Sequence, residues 1–294
     1  MSKKKNRITF AGIINAIILG LFTLICVYPL WYIFINSWSS PAAVNRGVYI
    51  IPQEFSTEAY TNLLEIPGLT SSIGIAFART ILGTLLTLLC CSFAAYLLAN
   101  RDLPCRKLLY RFFIVTMYVN AGFIPYYLLI SNIGLKNNFL VYILPYAVQA
   151  YFIILIKTYI ESIPSELVES AEMDGAGLVK VFFRIILPLA KPILACIVVF
   201  AAVNQWNTWS DDMIFMQGRK AANLHCLQYL LYTKLQSNVV STTGAGAAAG
   251  AAVKVTSTTL RMAMSFITVV PILCVYPYMQ RFFTKGIMLG AVKG

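Results

Sequence analysis

The sequence predicts an all-α integral membrane protein with six transmembrane helices and both termini on the cytoplasmic side. Three observations carry that expectation. The 294 residues are 59% hydrophobic and only 12% charged, with a mean hydropathy of +0.74, whereas an ordinary soluble domain is about 45–50% apolar. Apolar runs long enough to cross a hydrocarbon core of ~30 Å recur along the chain. Lysine and arginine then alternate between the connecting segments, dense on one face and sparse on the other.

Spans are expected at about 10–35, 75–99, 108–130, 139–160, 183–205 and 260–283, in one transmembrane domain covering 1–294. The leading MSKKKNRITF puts basic residues before an apolar run, as a secretion signal does. The run from Phe10 to Phe34 exceeds the ~7–15 residues of a signal core, so it reads as a retained first span. Residues 36–74 form an extracytoplasmic loop, polar and punctuated by proline, that suits a short surface hairpin of helices. Residues 206–259 form a second one, containing TTGAGAAAGAA at 242–252, a small-residue run with little to pack. The longest cytoplasmic loop is 161–182.

Sidedness follows from the basic residues. Fifteen of the 23 lie in the N-terminal segment, around NRDLPCRKLLYR, around the 161–182 loop and in the C-terminal tail. Arg46, Arg79, Lys136, Arg219, Lys220, Lys234, Lys254 and Arg261 are assigned to the opposite face. An even number of spans requires both termini on one side, and the basic residues put that side in the cytoplasm.

Several function classes are disfavoured. The net charge of +12 is spread between apolar spans rather than over one soluble face, so it reads as orientation and not as nucleic-acid affinity. Cys26, Cys90, Cys91, Cys196 and Cys274, five of seven cysteines, sit in apolar runs as small hydrophobes, and no spacing suggests disulfides or zinc. His225 is the only histidine, which leaves no metal cluster. Asp211 and Asp212 invite a membrane-embedded enzyme, but adjacent helical residues point about 100° apart and seldom converge; they face either an extracytoplasmic protein or a basic neighbour.

The stretch ESAEMDGAGLVKVFFRIILPLAKP, 169–192, is unusual in so oily a chain. Pro164 suits a first turn, Glu166 and Glu169 favour a positive helix end, and Gly175 or Gly177 can stop the helix about three turns later. Ile163, Leu167, Ala171 and Asp174 recur at three-to-four-residue spacing, a narrow apolar stripe on a helix lying along the membrane surface. Such a stripe calls for a partner groove or the headgroup layer.

Together with its upstream IPSELV, this stretch resembles the cytoplasmic loop signature of permease subunits in binding-protein-dependent ABC importers. Glu169, Ser170, Ala171, Gly175, Ile185, Leu187 and Pro188 stand in register, with Ser170 replacing an alanine. AAYLLANRDLPCRK, GFIPYYLLISNIGLKNN and YPYMQRFFTKGIMLGAVKG are similar to the carbohydrate branch of that family. The resemblance implies the type I importer permease fold. It also implies a second, similar permease subunit, a cytoplasmic ABC ATPase dimer that holds ATP and Mg, an extracytoplasmic solute-binding protein and an oligosaccharide cargo. The chain would be a multi-pass protein of the cell (cytoplasmic) membrane and no enzyme itself, and it has no phosphate loop of its own. By the same resemblance, Glu166, Glu169, Ser170, Ala171, Asp174, Gly175, Ile185, Leu187 and Pro188 form the ATPase-coupling element, and Lys285, Gly286, Lys293 and Gly294 a tail that reaches the ATPase.

For the solute path, the polar and aromatic residues within or near spans are Tyr118, Asn120, Tyr146, Gln149, Asn204, Gln205, Trp206, Asn207 and Trp209. Amide hydrogen bonds and aromatic faces suit sugars, although Tyr and Trp at span ends also form interfacial belts. A phosphate or amino-acid cargo is the alternative within the same class. An anion path calls for a buried cation, and Lys157 is the weak candidate.

Overall fold

The computed structural model describes residues 10–119, 121–218, 221–243 and 257–291. These residues are overwhelmingly helical, with one isolated antiparallel bridge between Ser39 and Phe55 among them. They fall into two compact units, Met1–Pro67 with Thr233–Val270 and Gly68–Tyr232 with Pro271–Gly294.

The first unit begins with α1 (Phe10–Ser37), a 28-residue helix that is apolar all round and exposed from Phe10 to Trp31. A helix hydrophobic on every face needs lipid or a protein partner around it. A hairpin follows, carrying α2 (Pro41–Arg46) and α3 (Glu58–Leu64). The start of α2 is set by Pro41 in its first turn and by the Ser40 hydroxyl, which accepts from the Ala43 amide at 3.1 Å. Its end is set by Gly47 at φ +98°, where an added Cβ would lie 2.9 Å from the Tyr49 ring. Trp38 stacks on Phe55 at 5.2 Å and meets Tyr60 at 4.9 Å, which closes the hairpin over the buried Ile35, Ala43 and Val48.

In the second unit, α4 (Leu69–Ala99) packs against α7 (Ala150–Ile160) and α11 (Lys191–Asn207). The reason is legible on its buried face, where Ser72, Ala76, Gly83, Thr87, Cys91 and Ala95 recur about one turn apart. Small residues let helices approach closely where lipid supplies no hydrophobic drive between them. At Gly83 the approach is closest: a Cβ there would stand 2.6 Å from the Gln205 side-chain nitrogen.

Prolines break two of the remaining apolar stretches. A pair of 3₁₀ turns, Phe139–Tyr142 and Leu144–Tyr146, meets α7 at 45° around Pro145. Backbone groups freed by that break are satisfied from α4: Thr87 Oγ1 donates to the Tyr146 carbonyl at 2.8 Å, and the Gln149 amide donates to Cys91 Sγ at 3.3 Å. Cys91 therefore acts as a polar partner of the broken helix, not only as the small hydrophobe its apolar surroundings suggest. Further on, α9 (Leu178–Val181), a π turn over Phe182–Ile186 and α10 (Leu187–Leu189) meet α11 at 83°. The Leu187 amide reaches back five residues to Phe182, and Pro188 and Pro192, which lack the donor, flank the elbow.

Three more helices complete the unit's first segment: α5 (Arg106–Tyr118), α6 (Phe123–Asn132) and α8 (Glu166–Met173). After α11 come α12 (Ser210–Phe215), then α13 (Leu227–Thr243) and α14 (Ser257–Ala291), which belong partly to each unit. Phe10–Ser37, Leu69–Ala99 and Thr258–Pro277 are each long and apolar enough to cross a bilayer. Among the described residues the number reaches six when each of three bent pairs is taken as one span. Residues 244–252 of the small-residue run, and 253–256 after it, lie outside the described residues.

Candidate functional site

The 161–182 loop carries α8, which is eight residues long, two turns rather than the three expected. Pro164 and Ser165 precede it, and Gly175 ends it at φ +77°, a conformation that a side chain opposes. The Ala176 amide closes the turn on the Ala171 carbonyl at 2.9 Å. Of the expected stripe, Leu167 is exposed as an outward apolar group, whereas Ala171 turns with Val168 toward the core. Glu166, Glu169, Ser170, Asp174 and Gly175 are all exposed, and Met173, at 88% exposure, is the most prominent apolar group of the helix. Ile185 and Leu187 pack against the chain's own core, whereas Pro188 is exposed. The first two therefore hold the elbow behind α8 and do not face outward.

Behind α8 lies a cavity of about 600 Å³, lined by Tyr96, Arg101, Arg106, Glu161, Glu169 and Glu172 among others. Its wall is an ionic link: Glu161 pairs with Arg106 and, at 2.8 Å, with Lys157. Arg106 also donates to the Leu98 carbonyl at 2.7 Å, and Lys157 sits 4.3 Å over the Tyr110 ring. One carboxylate thus joins the ends of α4, α5 and α7. Lys157, the cation candidate for an anion path, is already paired.

At the opposite end of α4 lies a second cluster, which the sequence did not reveal. Arg79 is 1% exposed, not a surface charge of the loops as its place near a span end suggested. Its guanidinium donates to the Thr208 carbonyl at 2.7 Å, to Gln205 Oε1 at 3.2 Å and to Asp211 at 3.3 Å, and lies 4.5 Å over the Tyr142 ring. The Tyr146 hydroxyl donates to Asp211 at 3.2 Å. Asp212, fully buried, meets His225 Nδ1 at 2.6 Å and accepts from the Cys226 amide at 2.6 Å. A buried charge persists only when paired and hydrogen-bonded, and here both carboxylates are. Burial pushes the Asp211 carboxyl up, and Arg79 and the Tyr146 hydroxyl pull it back. Burial also drives the Cys226 thiol up to about 12, so it is not a nucleophile at neutral pH.

Of the solute-path candidates, Tyr146 and Gln205 belong to this cluster. Trp206 is buried against Phe77 at 5.1 Å, and Trp209 stacks on Tyr232 at 4.1 Å. Gln149 is half-buried at the start of α7, while Tyr118, Asn204 and Asn207 are exposed. Asn120, Lys293 and Gly294 lie outside the described residues, and of Lys285 and Gly286 only the helical backbone of α14 is described. Among the described residues no group of three His, Cys, Asp or Glu is placed to hold a metal.

Residues 91–210, from the middle of α4 to the start of α12, match the model of the binding-protein-dependent transport system inner membrane component family. Along its whole length the chain is also similar to the polygalacturonan/rhamnogalacturonan transport system permease protein YtcP of Bacillus subtilis (strain 168), at 32% identity over 99% of this chain and 100% of that one. The chain belongs to this permease family. Protein LplC of the same organism is 32% identical to the permease over 95% of it and 94% of the relative. The crystal structure of a bacterial ABC transporter involved in the import of the acidic polysaccharide alginate matches the permease fold with a TM-score of 0.82 and 30% identity, covering 96% and 99% of the two chains. Members of the family are membrane-embedded transport subunits and not enzymes, so a catalytic role for Asp211 and Asp212 falls away; their pairing with Arg79 and His225 accounts for them.

Proposed function

We propose that the chain is one permease subunit of an ATP-driven oligosaccharide importer in the cytoplasmic membrane, with both termini in the cytoplasm. The observation that carries the coupling part is α8: a short exposed helix, stopped by a left-handed glycine, with acids and Met173 outward and Val168 and Ala171 holding it to the core. A cytoplasmic ATPase dimer, binding ATP and magnesium, docks on that face, and its closure pushes the helix. The elbow at Ala190 and the Glu161 link carry the push into α4, α7 and α11 as a rigid-body movement. A second permease subunit completes the path, and an extracytoplasmic binding protein delivers cargo.

The sugar part rests on the relatives, whose names include polygalacturonan/rhamnogalacturonan, melibiose/raffinose/stachyose and alginate transport. A phosphate or amino-acid cargo has no such support, and the buried cation Arg79 is already paired with Asp211. The tagged chain, isolated from membranes in mild detergent, should bring with it an ABC ATPase and a second permease, and the reconstituted complex should take up an oligosaccharide only with ATP. Isolation of the chain alone from membranes that contain those proteins would overturn the assembly; uptake of an amino acid or phosphate in place of sugar would overturn the cargo.

A further inference from the structure

The hairpin after α1 turns back on the helix it leaves. Tyr49, Ile50 and Ile51 are 62%, 72% and 69% exposed, and no charged residue occurs between Arg46 and Glu54. Three successive carbonyls of this tip are nonetheless satisfied by side chains of α1. Asn36 donates to Val48 at 3.1 Å, Tyr28 to Tyr49 at 3.4 Å and Trp31 Nε1 to Ile50 at 2.9 Å. A loop in water has no need of such donors, because water supplies them; a loop at membrane depth must find them within the protein.

The depth agrees. Trp31 lies 21 residues beyond Phe10, about 31 Å along the axis at 1.5 Å per residue, which is the thickness of the hydrocarbon core. Ser37, where α1 ends, stands about 9 Å further out. The tip therefore descends from the helix end to the level of Trp31, beside a helix that is apolar and exposed on every face. Polar features of the same hairpin, the Arg46–Glu54 ion pair and the Ser40 hydroxyl on Glu54, mark its water-facing part.

We propose that the segment Val48–Pro52 is an interfacial anchor, with Tyr49, Ile50 and Ile51 immersed at the boundary of headgroups and acyl chains. Trp31 and Tyr28 serve it twice, as belt aromatics and as donors that cap its backbone. The occupant is phospholipid, because the tip's backbone is already self-sufficient and its side chains are apolar and uncharged but for the Tyr49 hydroxyl, an amphipathic end that suits the headgroup layer.

The test places a photoreactive benzoylphenylalanine at Ile50 or Ile51, whose exposed side chains tolerate its bulk, in cells fed an alkyne-tagged fatty acid. Irradiated membranes of the whole complex are then analysed for adducts, with Leu24 as an in-membrane reference and Glu65 as an exposed polar one. Phospholipid adducts at positions 50 and 51, within a few-fold of Leu24 and well above Glu65, are expected. Trp31→Phe, which removes one donor, should lower the adduct at position 51 several-fold and leave that at Leu24 unchanged. Adducts to another polypeptide would overturn the proposal in favour of a protein interface, and yields no higher than at Glu65 would put the tip in water.

Discussion

Two ionic clusters stand at opposite ends of α4, and they are built in contrary ways. At the Arg79 end Arg79, Asp211 and Asp212 are deeply buried, with His225 at their edge, and the donors and acceptors are matched one by one across α4, the 3₁₀ turns, α11, α12 and the start of α13. At the Glu161 end the partners are between 12% and 35% exposed, and they border an open cavity. Water screens the second set, so each pair there contributes little, whereas in the first the loss of one partner strands the other in a low dielectric. One end is therefore a fixed knot, and the other is a link that can yield when α8 is pushed.

Breaking the knot should have the largest effect. Arg79→Met leaves Asp211 unpaired, and a loss of about 3–5 kcal/mol is expected, read as a large fall in the thermal midpoint of the detergent-solubilised complex. Adding Asp211→Asn should restore part of it; no recovery would mean that Arg79 acts by filling space. Next comes Gly83→Val, which overpacks α4 against Gln205 and should cost about 1–3 kcal/mol in the same assay. If it were neutral, α4 and α11 would be free to separate there.

At the yielding end, stability and function should part company. At Gly175 an added Cβ meets no atom within 4 Å, so Gly175→Trp is opposed chiefly by the left-handed backbone, at about 1–2 kcal/mol. ATP hydrolysis by the reconstituted complex should persist while sugar uptake is lost. Unchanged uptake would remove α8 from the coupling path. Glu161→Gln should cost less than about 1 kcal/mol of stability in the same thermal assay, yet reduce uptake per ATP if the link carries the push; equal losses of hydrolysis and uptake would make it a static support.

The smallest effect concerns the hairpin of the first unit. The Ser40 hydroxyl and Arg46 hold the Glu54 carboxyl below its ordinary range. A depressed folded pKa means stability present above the unfolded value of 4.5 and lost as pH falls through the folded one. Acidification below about 4.5 should raise protease cutting in residues 47–57, and Glu54→Gln should abolish that pH dependence; a dependence that survives the substitution would assign it to other carboxylates.

How far the sequence could be read depended on the range of each interaction. The stop of α8 was visible because a left-handed turn needs glycine at that place, and Gly175 follows a run with helical spacing. Proline lacks a donor wherever it stands, yet Pro145, Pro188 and Pro192 accompany breaks while Pro271 and Pro277 lie inside the continuous α14, so packing decides which prolines interrupt a helix. The inward face of α8 was not legible: Leu167 and Val168 are equally apolar, and only packing decides which one turns to the core. Arg79 was misplaced for a similar reason, since a cation near a span end looks the same whether it reaches water or a carboxylate.

By itself, the sequence determined that the chain is a membrane protein, where its apolar stretches run, and which short motifs align it with binding-protein-dependent permeases. All of these depend on composition or on neighbours within a few turns. Tertiary structure alone decided that Arg79 meets Asp211, 132 positions away, that Thr87 and Cys91 repair the break at Pro145, and that Trp31 caps the carbonyl of Ile50. Those partners converge only when particular helix faces and turns are apposed, and no local periodicity encodes which faces meet.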